Sequence, residues 1–351
     1  MNQFRPDFQD RNFYVVAGGH INFTYKVVEG SASFLLQGIN TEVFSAPEKI
    51  FENQKTLQEF ASSASTTSPI LPQLQSLSGD YKVEDAASGV WWRLADFVEG
   101  VCSYDFVQTP IQSFEAARGY GKFLASFISL SPSRLQETLT NFHNPAVRFQ
   151  QLEDALLHGK KERIAVAKKV VGRLKELHWV VEKWTDFVTS GLPLRVCHND
   201  TKLSNVLLYQ KTDGLAFVID LDTTMPGYVM YDFGDMMRSF VCPVKENEVD
   251  LSKIELNLEN YRAMVKGFLQ ETHTFLTQDE LSSLNFGGIL LTYLMALRFL
   301  ADFLIGDKYY ATTFENENLA RTKNQLRRIT LFLNNSDQLE SIIQEEYHLL
   351  K

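Results

Sequence analysis

The chain is short of cysteine, of uninterrupted apolar stretches and of positive charge, and each shortage removes a class of protein. Its 351 residues include three cysteines, Cys102, Cys197 and Cys242, at no metal-like spacing. Three thiols cannot all pair within one chain, and so low a count suits a reducing cytoplasm better than a disulfide-stapled scaffold. No run approaches the ~18 uninterrupted apolar residues of a spanning helix. The richest candidate, 287–305, contains Arg298 and Asp302 and reads as a buried helix. The N-terminal MNQFRPDFQDRNFYVV is polar and lacks the apolar core of a signal peptide, so a soluble cytoplasmic protein is expected. A formal net charge of -9 argues against nucleic acid or an anionic membrane as the main partner, though it says little about a single cleft.

With 44% apolar and 22% charged residues the composition is ordinary, and the length favours two lobes over one core. Residues 12–40 alternate in a strand-like manner, as Asn12–Ala17, Phe23–Val28 and Phe34–Gln37 with a turn at Glu29–Ser31. A helix is expected over 47–65, opened by Pro47, then a polar loop near 62–68 and a strand over Val90–Val98. From 113 the pattern turns helical: 113–129 behind a capping Ser113, 148–158, 162–189, 257–272, 278–305 and 315–350. Lys160, Lys161 and Arg163 read as a solvated helix start rather than a phosphate patch. The whole reads as α+β, and no internal repeat is visible.

One run carries the chemistry. Residues 198–205 spell His-Asn-Asp-Thr-Lys-Leu-Ser-Asn, an H-x-D-x-x-x-x-N pattern. In a phosphoryl-transfer loop of this form Asp200 accepts the proton of the attacking hydroxyl, and Asn205 turns back to hold a metal ion. Leu194–Cys197 leads in as a strand, Val206–Leu208 leaves as another, Lys211–Gly214 turns, and Leu215–Ile219 returns to deliver Asp220 beside Asn205 as the second metal ligand. Lys202 offsets charge on the moving phosphoryl group, or is simply an exposed lysine. His198 reads as a structural residue of the loop. Asp222 leaves an extended strand on the same face as Asp220, and is open between a metal contact, direct or through water, and charge neutralisation. Asp232-Phe233-Gly234 is the literal metal-binding triplet of protein kinases, yet it lies past the Pro226-Gly227 turn and opens a helix. Asp232 is therefore expected to cap that helix or to tie down the loop. Gly18 and Gly19 form either a phosphate-covering turn, with His20 aimed at the cleft, or a plain hairpin turn.

Assembled, these residues resemble the aminoglycoside phosphotransferase/choline kinase superfamily, and within it the N-acetylhexosamine 1-kinases. The resemblance rests on GGHINFTY (18–25), VCSYDF (101–106), LRVCHNDTKLSNVLL (194–208), VIDLDTTMPG (218–227), YDFGDMMR (231–238), ALRFLADFLIGDKYYA (296–311) and ENLARTKNQ (317–325). It implies a two-lobed protein-kinase-like fold, with a small β-rich lobe over 1–98 including the hinge and a large, mostly helical lobe over 99–351. It implies Mg²⁺ and ATP in the cleft and transfer of the γ-phosphoryl group to the C1 hydroxyl of N-acetylglucosamine or N-acetylgalactosamine. By motif, Asp200 is the base, Asn205 and Asp220 hold Mg²⁺, and His20, Tyr104, Arg298 and Tyr309 contact the sugar. Arg298 in an apolar helix needs a partner in any case, and Asp302 four residues on is the alternative to a substrate.

Two gaps remain at this level. Gln37 stands where protein kinases place the phosphate-binding strand lysine, and no replacement cation is legible. The hinge falls within Arg93–Val98, with Asp96 and Phe97 expected against the adenine. Competing readings are a kinase of another small hydroxyl compound (choline-, homoserine- or aminoglycoside-like) and a nucleotide-binding pseudokinase scaffold.

Overall fold

A computed structural model describes residues 1–5, 11–16, 22–63 and 68–351. Gly18, Gly19 and His20, and the end of the helix expected to reach 65, lie outside the described residues.

The first hundred residues supply β1 (Arg11–Val15), β2 (Phe23–Glu29), β3 (Ala32–Gly38), α1 (Pro47–Ser63), β4 (Gln73–Leu74), β5 (Val83–Glu84) and β6 (Trp91–Asp96). They form an antiparallel sheet in the order β1-β2-β3-β6-β4, with β5 also on β6. Strand alternation sorts the side chains. Phe34, Leu36 and Leu94 turn to one face and bury with Val27 and Phe4. Leu35 and Gln37 of β3, with Arg93 and Ala95 of β6, turn to the other and line a cleft. The short β4 and β5 escape a periodicity search because two residues carry no period.

After β6 the link 97–100 leads to β7 (Val101–Cys102), which pairs not with the first sheet but with Leu208 and Tyr209, far along the chain. The helical part contains α2 (Pro110–Ser126), α3 (Pro145–His158), α4 (Lys161–Glu176) and α5 (Trp179–Thr189). Strands β8 (Arg195–Cys197), β9 (Val206–Tyr209), β10 (Leu215–Val218) and β11 (Met225–Gly227) follow. The chain ends in α6 (Val229–Phe240), α7 (Leu258–Thr272), α8 (Gln278–Ile305), α9 (Glu317–Asn334) and α10 (Ser336–Leu350). A β-sheet region and a helical region thus meet at a cleft, the two-lobed α+β arrangement expected.

Several boundaries differ, for local reasons. Helix α2 starts at Thr109, whose hydroxyl accepts from Gln112 N ahead of Pro110; Ser113 is no cap, and donates to the Asn260 carbonyl at 2.7 Å. The expected 162–189 helix breaks at Leu177–His178 and the 315–350 helix at Asn335. Pro226-Gly227 is no turn but part of β11, which pairs with β8.

Helix α8 is apolar on all sides because other helices surround it. It is long and apolar enough to cross a membrane by composition, with a mean hydropathy of 1.8 over its best window, but 78% of that window is buried in the fold. A Thr277/Glu280 capping box opens it, and Gly306, at φ 106°, closes it in the left-handed conformation glycine favours. Helix α6 lies on it backbone to backbone. A Cβ added to Gly234 would stand 2.1 Å from the Gly287 carbonyl oxygen, and one on Gly287 would stand 2.1 Å from that of Met230. This close packing fixes α6, and α6 carries Asp232 to the loop before β9.

Candidate active site

The loop between β8 and β9 is held from below. Asp232, 1% exposed, accepts from His198 N at 2.9 Å and Asn199 N at 2.7 Å, and its carbonyl accepts from the Thr201 hydroxyl. The literal Asp-Phe-Gly is therefore a brace: its aspartate ties the loop and its glycine seats α6 on α8. His198 is buried, edge-on to Tyr120 and Phe123, with Nε2 on the Ile219 carbonyl. Asn199 adopts φ 64° and Asp220 φ 60°, the left-handed region that costs non-glycine residues about 1–3 kcal/mol and clusters at functional loops. The Asn199 amide offsets part of this by donating to the carbonyls of Cys197, Thr223 and Met225.

Asp200 is thereby presented to the cleft with Lys202 Nζ and Asn205 Nδ2 each 2.8 Å from its Oδ2. Burial pushes its carboxyl up, but Lys202, His198 and the Asn205 amide together outweigh this and hold it at about 2. It is ionised at neutral pH. Lys202 is held above the ordinary ammonium range, since Asp200 and Asp220 overcome its desolvation.

The hairpin β9–β10 does what its sequence suggests. Ile219 N donates to the Asn205 carbonyl at 2.9 Å, which brings Asp220 beside Asn205. Burial, then the neighbouring Asp222 and Asp200 carboxylates, push Asp220 up to about 6 against the pull of Lys202 and Arg93. Such crowded acid favours a cation. Among the described residues no donor reaches Asn205 Oδ1, and no group of three or more His, Cys, Asp or Glu forms a cage. One amide oxygen and one carboxylate suit Mg²⁺, which keeps most of its shell for water and phosphate oxygens.

Asp222 departs from expectation. Residues 221–223 form a 3-10 turn, not an extended strand, so its side chain leaves Asp220 and points up at the β-sheet lobe. There it pairs with Arg93 and accepts from Gln54 Nε2 at 3.0 Å and Asn22 Nδ2 at 2.6 Å. It neutralises a buried arginine, and its oxygens are taken by that lobe's side chains.

Above the loop the cleft has a volume of about 380 Å³, within the usual range for a small-ligand site. Asp96 and Phe97 line it with Val98, Cys102 and Leu207, while Lys202, Asn205 and Asp220 lie on its floor. Phe97 N–H is engaged by the Ser33 carbonyl at 2.9 Å.

On the other side of the loop, Arg298 lies over three rings, Phe142 at 5.4 Å, Tyr310 at 5.5 Å and Tyr309 at 5.7 Å. Asp302 is not its partner. That carboxylate accepts from the main-chain N–H of Lys308, Tyr309 and Tyr310 and from Asn318, and so fixes the segment that carries both tyrosines. Arg163, expected in solvent, braces the same segment through Asp307, while Lys160 and Lys161 are exposed as expected. Among the described residues no carboxylate pairs with Arg298, whose one polar contact is Met295 Sδ at 3.6 Å. Arg148 stands close enough for Arg298, after desolvation, to lower its pKa. The nearby acids Asp235 and Glu246 are held by Arg238 at 2.8 and 2.7 Å. His143 links this cluster to the loop: its Nε2 lies 2.9 Å from the Asn199 carbonyl. Burial drives its pKa down to about 3, with Arg298 adding to the fall, so the ring is neutral and donates this bond.

The structure thus brings Asp200, Lys202, Asn205 and Asp220 together, sets Asp96 and Phe97 in the cleft, and gathers Arg298 and Tyr309 beside the loop. It does not bring Tyr104 to that group: the Tyr104 hydroxyl bonds Asp213 on the β9–β10 turn at 3.2 Å. Missed in the sequence were Phe142 and His143, in a short turn whose one local signal is the Asn144-Pro145 helix cap that follows, Arg148 at the start of the helix expected over 148–158, and the cleft-facing Arg93.

The profile of the phosphotransferase enzyme family matches residues 14–264. Among solved structures, a microcompartment-associated aminopropanol kinase superposes with a TM-score of 0.63 at 15% identity, over 95% of each chain. An aminoglycoside phosphotransferase from Alicyclobacillus acidocaldarius does so at 0.64 and 13%, over 97% of this chain and 95% of that one. A spectinomycin phosphotransferase in complex with ADP and spectinomycin gives 0.59 and 14%, over 93% and 94%. At these identities the likeness speaks for the fold, and the profile match, which spans well over half the chain, for the family. The chain belongs to the phosphotransferase enzyme family.

Proposed function

We propose that the protein transfers the γ-phosphoryl group of ATP to the anomeric C1 hydroxyl of an N-acetylhexosamine, N-acetylglucosamine or N-acetylgalactosamine, giving the sugar 1-phosphate. The observation that carries the acceptor class is Arg298, without a carboxylate partner among the described residues, ringed by aromatics, beside Arg148 and near His143, which bonds the Asn199 carbonyl next to Asp200. Two arginines repel a cationic amino alcohol or aminoglycoside. A guanidinium instead donates to hydroxyl and acetamide oxygens, and the rings offer a face to sugar C–H groups. The Tyr310 hydroxyl, buried without a protein partner among the described residues, is a further group for a polar ligand to satisfy.

In this reading Asp200 fixes the acceptor hydroxyl in line and takes its proton. A carboxyl near 2 is a weak base, which suits late proton transfer in a loose transition state. Lys202 leaves Asp200 to offset charge on the moving phosphoryl group. Asn205 and Asp220 hold Mg²⁺, which when bound neutralises phosphate charge. Adenine lies against the 96–98 link, where the first lobe ends and the 99–351 lobe begins. Gly18 and Gly19 cover the phosphates, and His20, Arg298 and Tyr309 meet the sugar, with Arg148 now added and Tyr104 left on Asp213 of the β9–β10 turn. Three free cysteines suit work in the cytoplasm. An ADP-release assay with N-acetylglucosamine, N-acetylgalactosamine, choline, ethanolamine and an aminoglycoside tests the choice. Turnover is expected with the sugars; turnover confined to the cationic alcohols would remove the sugar assignment.

A further inference from the structure

Gln37 leaves β3 without a lysine for the nucleotide phosphates, but the neighbouring strand carries a cation to the same place. The antiparallel register sets Arg93 of β6 opposite Gln37, and both side chains face the cleft. Arg93 Nε donates to Gln37 Oε1 at 3.0 Å and Nη1 to Asp222 Oδ1. Both charged side chains are nearly fully buried, 5% and 2% exposed. A buried ion pair seldom gains stability over an apolar pair of the same size, so stability alone does not explain it. Among the described residues no acceptor reaches Nη2. Asp222 also gathers Gln54 from α1 and Asn22 from the residue just before β2, so three parts of the β-sheet lobe converge on one carboxylate, two residues past Asp220. A protein kinase holds its strand lysine with a glutamate of the adjacent helix. Here the helix offers only Gln54, and the carboxylate comes from the opposite lobe.

We propose that Arg93 is the cation that binds the α- and β-phosphates of ATP, and that Asp222 is its positioning residue. The arginine does from β6 what a lysine does from β3, with two further consequences. Its guanidinium is always charged, and its fork engages protein and phosphate at once. Its anchor also ties the phosphate site to the segment that carries Asp220. The proposal rests on the nucleotide half of the function above and is indifferent to the acceptor.

The test is calorimetric binding of Mg·ATP and of adenosine, without acceptor, to the wild type, Arg93→Met, Arg93→Lys, Asp222→Asn and the exchange Gln37→Lys/Arg93→Gln. Arg93→Met is expected to weaken Mg·ATP about 10- to 100-fold, the range of a charge-assisted hydrogen bond, and adenosine less than about 2-fold. Asp222→Asn should follow in the same direction. The exchange returns the cation from the opposite strand and should recover about 10-fold of the loss, which a merely structural arginine would not allow. Should Arg93→Met fail to fold, Arg93→Lys serves through the same ratio of the two ligands. Equal losses of ATP and adenosine, or unchanged ATP binding, make Arg93 a lobe latch and overturn the proposal. A wild type that binds neither ligand overturns the nucleotide reading with it.

Discussion

Two arginines stand on opposite sides of Asp200, and they are kept in opposite ways. Arg93, on the side proposed for the nucleotide, has two fixed partners, a buried carboxylate and the glutamine opposite it on β3. Arg298, on the side proposed for the acceptor, has three aromatic rings and a like-charged neighbour and, among the described residues, no counter-ion. A paired arginine is part of the scaffold before any ligand arrives, and its geometry is set by the fold. An unpaired one, flanked by a second cation, keeps its donors for whatever enters. In the function proposed here, the difference separates a half of the site that is general from a half that chooses, with the loop at 198–205 between them.

Removing the group where both halves meet gives the largest effect. Asp200→Asn is expected to lower kcat by about 10³-fold or more while leaving Mg·ATP affinity within about 2-fold, because the interaction belongs to the transition state. A change in KM alone would contradict the base role. Arg298→Ala should lower kcat/KM for the sugar by about 10- to 100-fold and leave the KM for ATP unchanged, the mirror image of Arg93→Met. Arg298→Lys should recover little, since a point charge cannot reproduce the fork. If Arg298→Ala weakened ATP as much as sugar, the division between the halves would be lost.

Two smaller effects test what the halves share. Gly234→Ala forces a methyl group into the α6–α8 contact and should destabilise the protein by about 1–3 kcal/mol in urea unfolding, with selectivity between acceptors unchanged. Altered selectivity would place α6 in the acceptor site itself. His143, the strut between Arg298 and the loop, gives a pH signature. Its folded pKa is depressed from 6.5 to about 3, so the stability it contributes is present above 6.5 and is lost as pH falls from there towards 3. Unfolding followed from pH 7.5 to 4.5 should show a shallower loss for His143→Gln than for the wild type; identical slopes would contradict a neutral ring.

What could be read beforehand follows the same division. The loop, its hairpin and Asp220 were legible because the contacts that join Asp200, Asn205 and Asp220 are made within one loop and one hairpin, where spacing and turn chemistry decide. The bracing role of Asp232 was legible too, since a residue inside a helix cannot also end the hairpin strand. Arg93 was not, because its meaning depends on β6 pairing with β3 across 56 residues of sequence. A charged residue between Trp92 and Leu94 of a strand was the one available signal. Asp222 was misread because strand alternation was extended into a 3-10 turn, where it does not apply. Arg298 left a choice between Asp302 and a substrate that local spacing alone could not decide. Backbone N–H groups of 308–310 won Asp302 instead, an outcome no i,i+4 rule contains.

The central claim is phosphoryl transfer to an anomeric hydroxyl, and phosphorus NMR of the completed reaction tests it most directly. Incubation with Mg·ATP and N-acetylglucosamine or N-acetylgalactosamine should yield ADP and one sugar phosphate whose phosphorus couples to the anomeric proton. A phosphate coupled to the C6 methylene protons, or ADP and free phosphate with the sugar untouched, would contradict it.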